Sequence, residues 1–401
     1  MKYNRKITAA AVAAVMTASM CGCADSGYLM TVDGVQIRNG VYLYNEVESL
    51  WSAKSEITEE RTEYGDTSEV QDIFKETVGG ESTTDWVKRE TLEGVKRIVA
   101  VQRLCETNGI TLSDEQINDI NTQINSMWND DDYYVQLMYG MNNMGEYYES
   151  IGIGKDSVRD ILTANNLASE LFLYYYDFDG AAPVTEEEFN SYITENYASA
   201  KVIEIEYKDY QGILLKEDEE IQAVKELAQS YVDRLNSGES FADIRYEVDL
   251  KNAQDEAHVD AEDAYAEMEA EERPDDFDEY IQEAIDAVTV EKKTDDELDT
   301  IINLASTTSP FDAEVVEYIW NTAADSRATL LEQEYSCYII VRDDITEKES
   351  WKESVKSTVL NALKSDEFEE LLESIYCDFS VEQNDYLVNT KYAPNKIKGF
   401  E

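Results

Sequence analysis

Ala200-Lys201-Val202-Ile203-Glu204-Ile205-Glu206-Tyr207 is where the sequence changes its period. Upstream of it, apolar residues recur at helical spacing. Here Val202, Ile203, Ile205 and Tyr207 are β-branched or aromatic and close together, which predicts a strand. Moving outward toward the C-terminus, Ile221, Val224, Ala228, Tyr231 and Leu235 return to one helical face, and Gly238 stops it. Ser240 is placed to cap a short helix carrying Phe241 and Ile244. Asp and Glu with Ala between them then dominate residues 251–300, and Phe277, Tyr280, Ile281 and Ile285 predict a helix inside that tract. Pro310-Phe311 opens a helix through Trp320, and Cys337 to Arg342 is a second strand. Trp351, Val355, Val359 and Leu363, then Phe368, Leu371, Leu372 and Ile375, predict a long closing helix or a helix pair.

Outward in the other direction, Thr185 and Glu188 form a capping box for a helix with Phe189, Tyr192 and Ile193, and Pro183 marks a boundary before it. Lys155 to Tyr176 predicts a helix after Gly152 and Gly154. Ser113 and Gln116 form another capping box, with Ile117, Ile120, Ile124 and Met127 on one face. Asp85 to Thr107 carries Trp86, Val95, Ile98, Val99 and Leu104 at helical spacing, with Gly109 as the stop. Asp33-Gly34 is a hairpin turn between two short apolar runs, followed by a helix from about Gly40 toward Glu59. Residues 60–84, broken by Gly65, Gly79 and Gly80, read as a loop with room for one short helix.

The first residues carry an address. Lys2, Arg5 and Lys6 precede an apolar, Ala-rich run from Ile7 to Met20, too short for a membrane span and right for an export signal. Gly22 before Cys23 fits a bacterial lipobox, in which Cys23 becomes the lipid-bearing first residue of the mature chain; bulky Met20 makes Cys21 the poorer anchor. A plain secretory signal containing two cysteines is the alternative. The lipid reading places the protein on the outer face of the cytoplasmic membrane, held to the bilayer through Cys23.

Composition narrows the classes further. The chain has 401 residues, 43% of them hydrophobic, with 27 Tyr, 10 Phe and 5 Trp, enough for real cores in two or three domains. Its formal charge of −54 repels phosphate and excludes nucleic acid as a partner. That charge keeps a secreted protein soluble; the sharper alternative is a negative surface that attracts cationic client chains or metal ions near the cell wall. Beyond the signal, Cys105, Cys337 and Cys377 are too few for a disulfide framework, although a Cys337–Cys377 bridge is open. The one histidine, His258, rules out a multi-histidine metal site. Asp177, Asp179, Gly180 and Glu186 fall at calcium-loop spacing, but Tyr175 stands where the first aspartate belongs, and a turn is the better reading. No metal and no cofactor are expected.

Several stretches, in order, carry a likeness. Thr31-Val32-Asp33-Gly34-Val35-Gln36-Ile37 looks like "V-N-G-x-x-I". Cys105 to Gln116 looks like "A-x-x-x-G-I-x-V-S-D-E-E", and Glu146 to Val158 fits "F-x-x-x-L-x-x-x-G-I-T-x-x". Val184 to Phe189 matches "V-T-D-E-E-L". Leu235-Asn236-Ser237-Gly238-Glu239-Ser240-Phe241-Ala242 resembles "L-x-x-G-x-x-F-A-x-L", Pro310-Phe311-Asp312 resembles "P-F-x-x-A", and Tyr335 to Val341 resembles "G-Y-H-I-I-K-V". Together they resemble the extracytoplasmic foldases that join a helical chaperone domain to a parvulin-type prolyl isomerase domain.

The resemblance implies an α+β protein: a mainly helical, bipartite chaperone domain with an inserted, small parvulin-like α/β domain. The expected divisions are a signal at 1–22, the N-terminal helical domain at 23–183, the parvulin-like domain at 184–343 with an acidic insertion near 251–308, and a C-terminal helix at 344–401 that completes the chaperone domain. The implied function is a membrane-anchored chaperone or foldase for unfolded or partly folded exported proteins. The alternatives are a working peptidyl-prolyl isomerase and a lipid-anchored assembly subunit with one fixed protein partner.

By resemblance the isomerase pocket falls on Val202, Phe311, Cys337 and Tyr338. The family's histidine positions are occupied by Val202 or a neighbour and by Tyr338, so the catalytic histidines are not kept. In the Met- and Tyr-rich segment, Met127, Met138, Tyr139, Met141 and Met144 are the candidates for a client-binding cradle formed with the closing helix, because Met is adaptable and Tyr amphipathic.

Overall fold

The computed structural model describes residues 27–269, 271–303 and 309–400, so the export signal and Cys23 lie outside the described residues. In chain order the elements are β1 (Tyr28–Val32), β2 (Val35–Arg38), α1 (Asn39–Glu63), β3 (Thr77–Val78), β4 (Glu81–Ser82), α2 (Thr83–Asn108), α3 (Asp114–Asn129), α4 (Tyr133–Tyr139), α5 (Met144–Ile151) and α6 (Lys155–Tyr176). They continue with α7 (Glu186–Asn196), β5 (Tyr197–Glu206), α8 (Asp218–Asn236), α9 (Phe241–Glu267), α10 (Phe277–Asp286), β6 (Thr300–Asn303), α11 (Ala313–Asn321), β7 (Ala328–Glu332), β8 (Ser336–Asp343), α12 (Glu349–Tyr376) and β9 (Val381–Gln383). The fold is mixed α+β and mainly helical.

The chain divides into two compact units, one made of the residues up to Pro183 together with those from Leu363 onward, the other of Val184–Ala362. The second division falls inside α12 and not at 343/344, because that helix runs unbroken across it.

The first unit is helical, with one small sheet. Asp33 (φ 47°) and Gly34 (φ 87°) turn β1 into β2, both in the left-handed region that a two-residue hairpin demands. The third strand of this sheet comes from the far end of the chain: β9 pairs antiparallel with β1, Thr31 opposite Glu382. The last residues are built in too. Ile397 and Phe400 are buried beside Leu50, Ile124 and Tyr147, and the Phe400 ring meets Trp51 edge-on at 4.8 Å. Phe368 of α12 packs edge-on against Phe172 at 5.4 Å, and Arg97 clasps Glu369 with a 2.6 Å bond. Between Gly65 and α2 the expected loop contains a tight β3–β4 hairpin.

The second unit is built on a four-stranded antiparallel sheet of order β6-β5-β8-β7. Period-2 alternation splits its side chains between two cores. Ile203, Cys337, Ile339 and Val341 face α8 and α9, joining Ala228, Tyr231, Phe241 and Ile244. Ala198, Ala200, Tyr338 and Ile340 face the other way, joining Val315 and Ile319 of α11.

The Leu235–Ala242 stretch explains itself here. Asn236 exchanges two 3.0 Å hydrogen bonds with the backbone of Ala328 and so ties the end of α8 to the edge strand β7. Gly238 turns at φ 101°, Ser240 caps α9, and Phe241 enters the core. At the other end of the sheet Lys201, Asp343, Lys348 and Asp299 form an ion-pair network, with Lys348 2.7 Å from Asp299 and 3.0 Å from Asp343. These partners hold the Asp343 carboxyl below its usual range despite burial.

The helix after Ser240 is not short. It runs to Glu267, because i,i+4 pairs replace the missing apolar stripe: Arg245 bridges to Asp249 at 2.8 Å and Lys251 to Asp255, and the His258 ring lies 3.5 Å from a Glu262 carboxylate oxygen. Inside the acidic tract α10 folds back on α9, with Tyr265 meeting Phe277 edge-on at 4.8 Å. Cys105, Cys337 and Cys377 are all free thiols, so the Cys337–Cys377 bridge is not formed. Among the described residues no helix is long and apolar enough to cross a membrane.

Candidate functional site

The strand register at the centre of the second sheet sets Glu204 of β5 opposite Tyr338 of β8, and Val202 opposite Ile340. All four project from the face opposite Cys337. There Val202 and Tyr338 line a cavity of about 260 Å³ together with Glu204, Pro310 and Phe311, and with Arg245, Val248, Asp249 and Asn252 of α9. Three of the four pocket candidates, drawn from three separated stretches, therefore share one cavity.

Cys337 does not join them. Adjacent residues of a strand point to opposite faces, so placing Tyr338 in the pocket puts Cys337 in the core beneath α8 and α9. Its thiol lies 3.7 Å from the Ile205 carbonyl oxygen, and burial pushes its pKa up to about 11, the wrong direction for a nucleophile.

The pocket is held from several sides. The Tyr338 hydroxyl donates to a Glu204 carboxylate oxygen at 2.7 Å. Burial first, then this carboxylate, raises the Tyr338 pKa, so the phenol stays protonated. Arg245 pairs with Asp249 and reaches the Val202 carbonyl oxygen at 3.5 Å. Arg342 donates to the Ile319, Trp320 and Thr322 carbonyl oxygens, closing the C-terminal end of α11. The result is an apolar wall of Val202, Pro310 and Phe311 facing a polar side of Tyr338, Glu204 and Arg245. Such a cavity can seat a small apolar ring or side chain. It offers no histidine, since His258 lies further along α9, stacked at 4.3 Å on Tyr210.

Glu204 and Arg245 were missed in the sequence. Glu204 shares the period-2 face of Val202, which was a usable signal. Arg245 lies on a helix whose length was not foreseen.

The Met- and Tyr-rich segment divides. Met127, Tyr139, Met141 and Met144 are half-buried and pack on the first unit's core. Tyr139 stacks on Tyr147 with ring centres 4.0 Å apart. All four line the core, Tyr139 because it and Val135, four residues apart, turn one side of α4 inward. Met138 alone is exposed, at 57%, with Tyr133 (71%), Tyr134 (72%) and Leu137 (69%) beside it on the same short helix. This segment packs against the residues that follow the third strand of the small sheet. Gly399 sits against the Tyr139 ring, and the Tyr147 hydroxyl donates to the Lys398 carbonyl oxygen at 3.4 Å.

The calcium-loop spacing collects no ligand set: among the described residues no three acidic, histidine or cysteine side chains stand close enough to hold a metal ion.

No family model matches this chain. No curated protein matches it. Among solved structures, it is similar to the crystal structure of foldase protein PrsA from Streptococcus pneumoniae str. Canada MDR_19A. The two are 13% identical over 76% of this chain and 95% of that chain, with a TM-score of 0.29. At this level of similarity the functional reading rests on the residues themselves.

Proposed function

We propose that this chain is an extracytoplasmic chaperone or foldase for exported proteins, anchored by lipid on Cys23 to the outer face of the membrane. The observation that carries the reading is the α4 surface, where Tyr133, Tyr134, Leu137 and Met138 are all more than half exposed side by side on one short helix of a strongly charged chain. Contiguous exposed apolar side chains on a soluble unit favour association with other apolar surfaces. Weak contacts of this kind hold partly folded chains without a cofactor.

The second unit is the parvulin-like module of this reading. Its pocket unites Val202, Phe311 and Tyr338 but lacks histidine, so it serves to bind peptide and not to lower the roughly 18–20 kcal/mol barrier of amide rotation.

The holding role is tested by suppression of client aggregation in vitro. Leu137→Glu with Met138→Glu should abolish most of the suppression while leaving the circular dichroism spectrum intact, and prolyl-peptide exchange should stay at its spontaneous rate. Unchanged suppression would remove the proposal. The anchor is tested by fractionation: Cys23→Ser should move the protein from membrane to soluble fractions, and a variant that stays with the membrane rules Cys23 out.

A further inference from the structure

Beside the smaller pocket lies a second, larger cleft. It has a volume of about 730 Å³ and shares Glu204, Val248, Asp249 and Asn252 with its neighbour, so the two are adjacent. Its floor is apolar: Ile205, Val224, Leu227 and Val248 line it, and Leu227 is 46% exposed. Its rim is acidic. Glu204 and Asp209 come from β5 and the loop after it, and Asp249, Asp255, Glu256 and Asp260 come from α9.

Some of this charge is already answered. Asp249 is paired with Arg245 and Asp255 with Lys251. Asp209 accepts hydrogen bonds from the Gln211 and Ile213 amides. Glu256 and Asp260 have no ion-pair partner among the described residues. The carboxylates are also strung out rather than gathered, since no three of them can chelate a metal ion. Asp249, Asn252, Glu256 and Asp260 follow one face of α9, and eleven helical steps cover roughly 16 Å. An extended chain covers that distance in about five residues.

We infer that this cleft is a docking groove for an extended, cationic peptide segment, in which Lys or Arg side chains alternate with apolar ones. The apolar residues lie on the Ile205, Val224 and Val248 floor, and the cationic heads reach Glu256 and Asp260 on the rim. One end of the segment enters the Val202, Phe311 and Tyr338 pocket. The groove extends the reading of the second unit as a peptide-binding module, on which it rests, and names the class of segment that module selects.

The chain's single histidine supplies the probe. His258 stacks on Tyr210, which lines the cleft, so its ring protons report occupancy of this groove. A fluorescein-labelled Lys-Val-Lys-Val-Lys peptide, titrated into the full chain at low salt, should bind at least tenfold more tightly than Glu-Val-Glu-Val-Glu. It should also shift the His258 signals at saturation. Glu256→Lys with Asp260→Lys, both exposed, should weaken binding about tenfold and leave the melting temperature unchanged. Equal affinity for the two peptides, lysine-peptide binding that leaves His258 unmoved, or a charge reversal without effect would each overturn the groove. Loss of aggregation suppression through α4 with intact peptide binding would instead count against the holding role alone.

Discussion

Glu46 is the least comfortable residue of the first unit. It sits on the inward face of α1 with no exposure, and neither carboxylate oxygen has a hydrogen-bond partner among the described residues. Burial raises its pKa well above 4.5, with Lys88 pulling weakly the other way, so the folded state keeps it protonated. The sign follows. Above 4.5 the unfolded chain releases this proton and the folded one does not, so the unfolded state gains on the folded one as pH rises. The penalty grows by at most about 1.4 kcal/mol per pH unit until the folded carboxyl ionises. Glu46→Gln should therefore gain stability over the parent between about pH 5 and pH 7. Urea unfolding at several pH values checks this; a difference that is flat or shrinks with pH would show that Glu46 is charged in the folded state. No sequence pattern pointed to it, because a glutamate among apolar neighbours reads as a solvent-facing position until the surrounding helices are known.

At the scale of elements, what the sequence disclosed and what it hid follow one rule. Elements with local signals were legible: the capping boxes at Ser113 and Thr185 exist as written, and the Asp33-Gly34 hairpin closes as its residues require. The β5 and β8 strands were legible because their apolar runs are long. Short elements stabilised by distant partners were not. β6 and β7 are edge strands that owe their existence to β5 and β8, and β9 has three residues that make sense only beside β1. The same holds for the site. Val202, Phe311 and Tyr338 could be aligned by motif, whereas the side of the sheet that Cys337 occupies needed the register.

The tail after β9 gives the matching prediction. Phe400→Ala removes a ring that is 8% exposed and packed on Trp51, at a cost of about 3 kcal/mol. Chemical unfolding followed by tryptophan fluorescence should show it, and a loss well under 1 kcal/mol would mean that the tail is not part of the core.

At the scale of the molecule, charge dominates. A formal charge of −54 distributed over 401 residues is self-repulsive, and few of the carboxylates are answered by ion pairs. Raising ionic strength from about 0.01 M to 0.15 M shortens the screening length from roughly 30 Å to 8 Å. The thermal midpoint should therefore rise with sodium chloride, by roughly 3 °C for each kcal/mol of repulsion removed. Calorimetry at three salt concentrations suffices, and a midpoint that falls with salt would mean that the ion pairs outweigh the repulsion.

The pairing of β1 with β9 also sets a timetable. A polypeptide that leaves the ribosome N-terminus first delivers Thr31 long before Glu382. The sheet of the second unit is contiguous in sequence and is complete once β8 has emerged. The first unit must stay unfinished, one strand and one aromatic plug short, until nearly the whole chain has arrived. Any truncated translation product therefore carries a finished second unit on an open, sticky first one, and quality-control proteases would find their cleavage sites there.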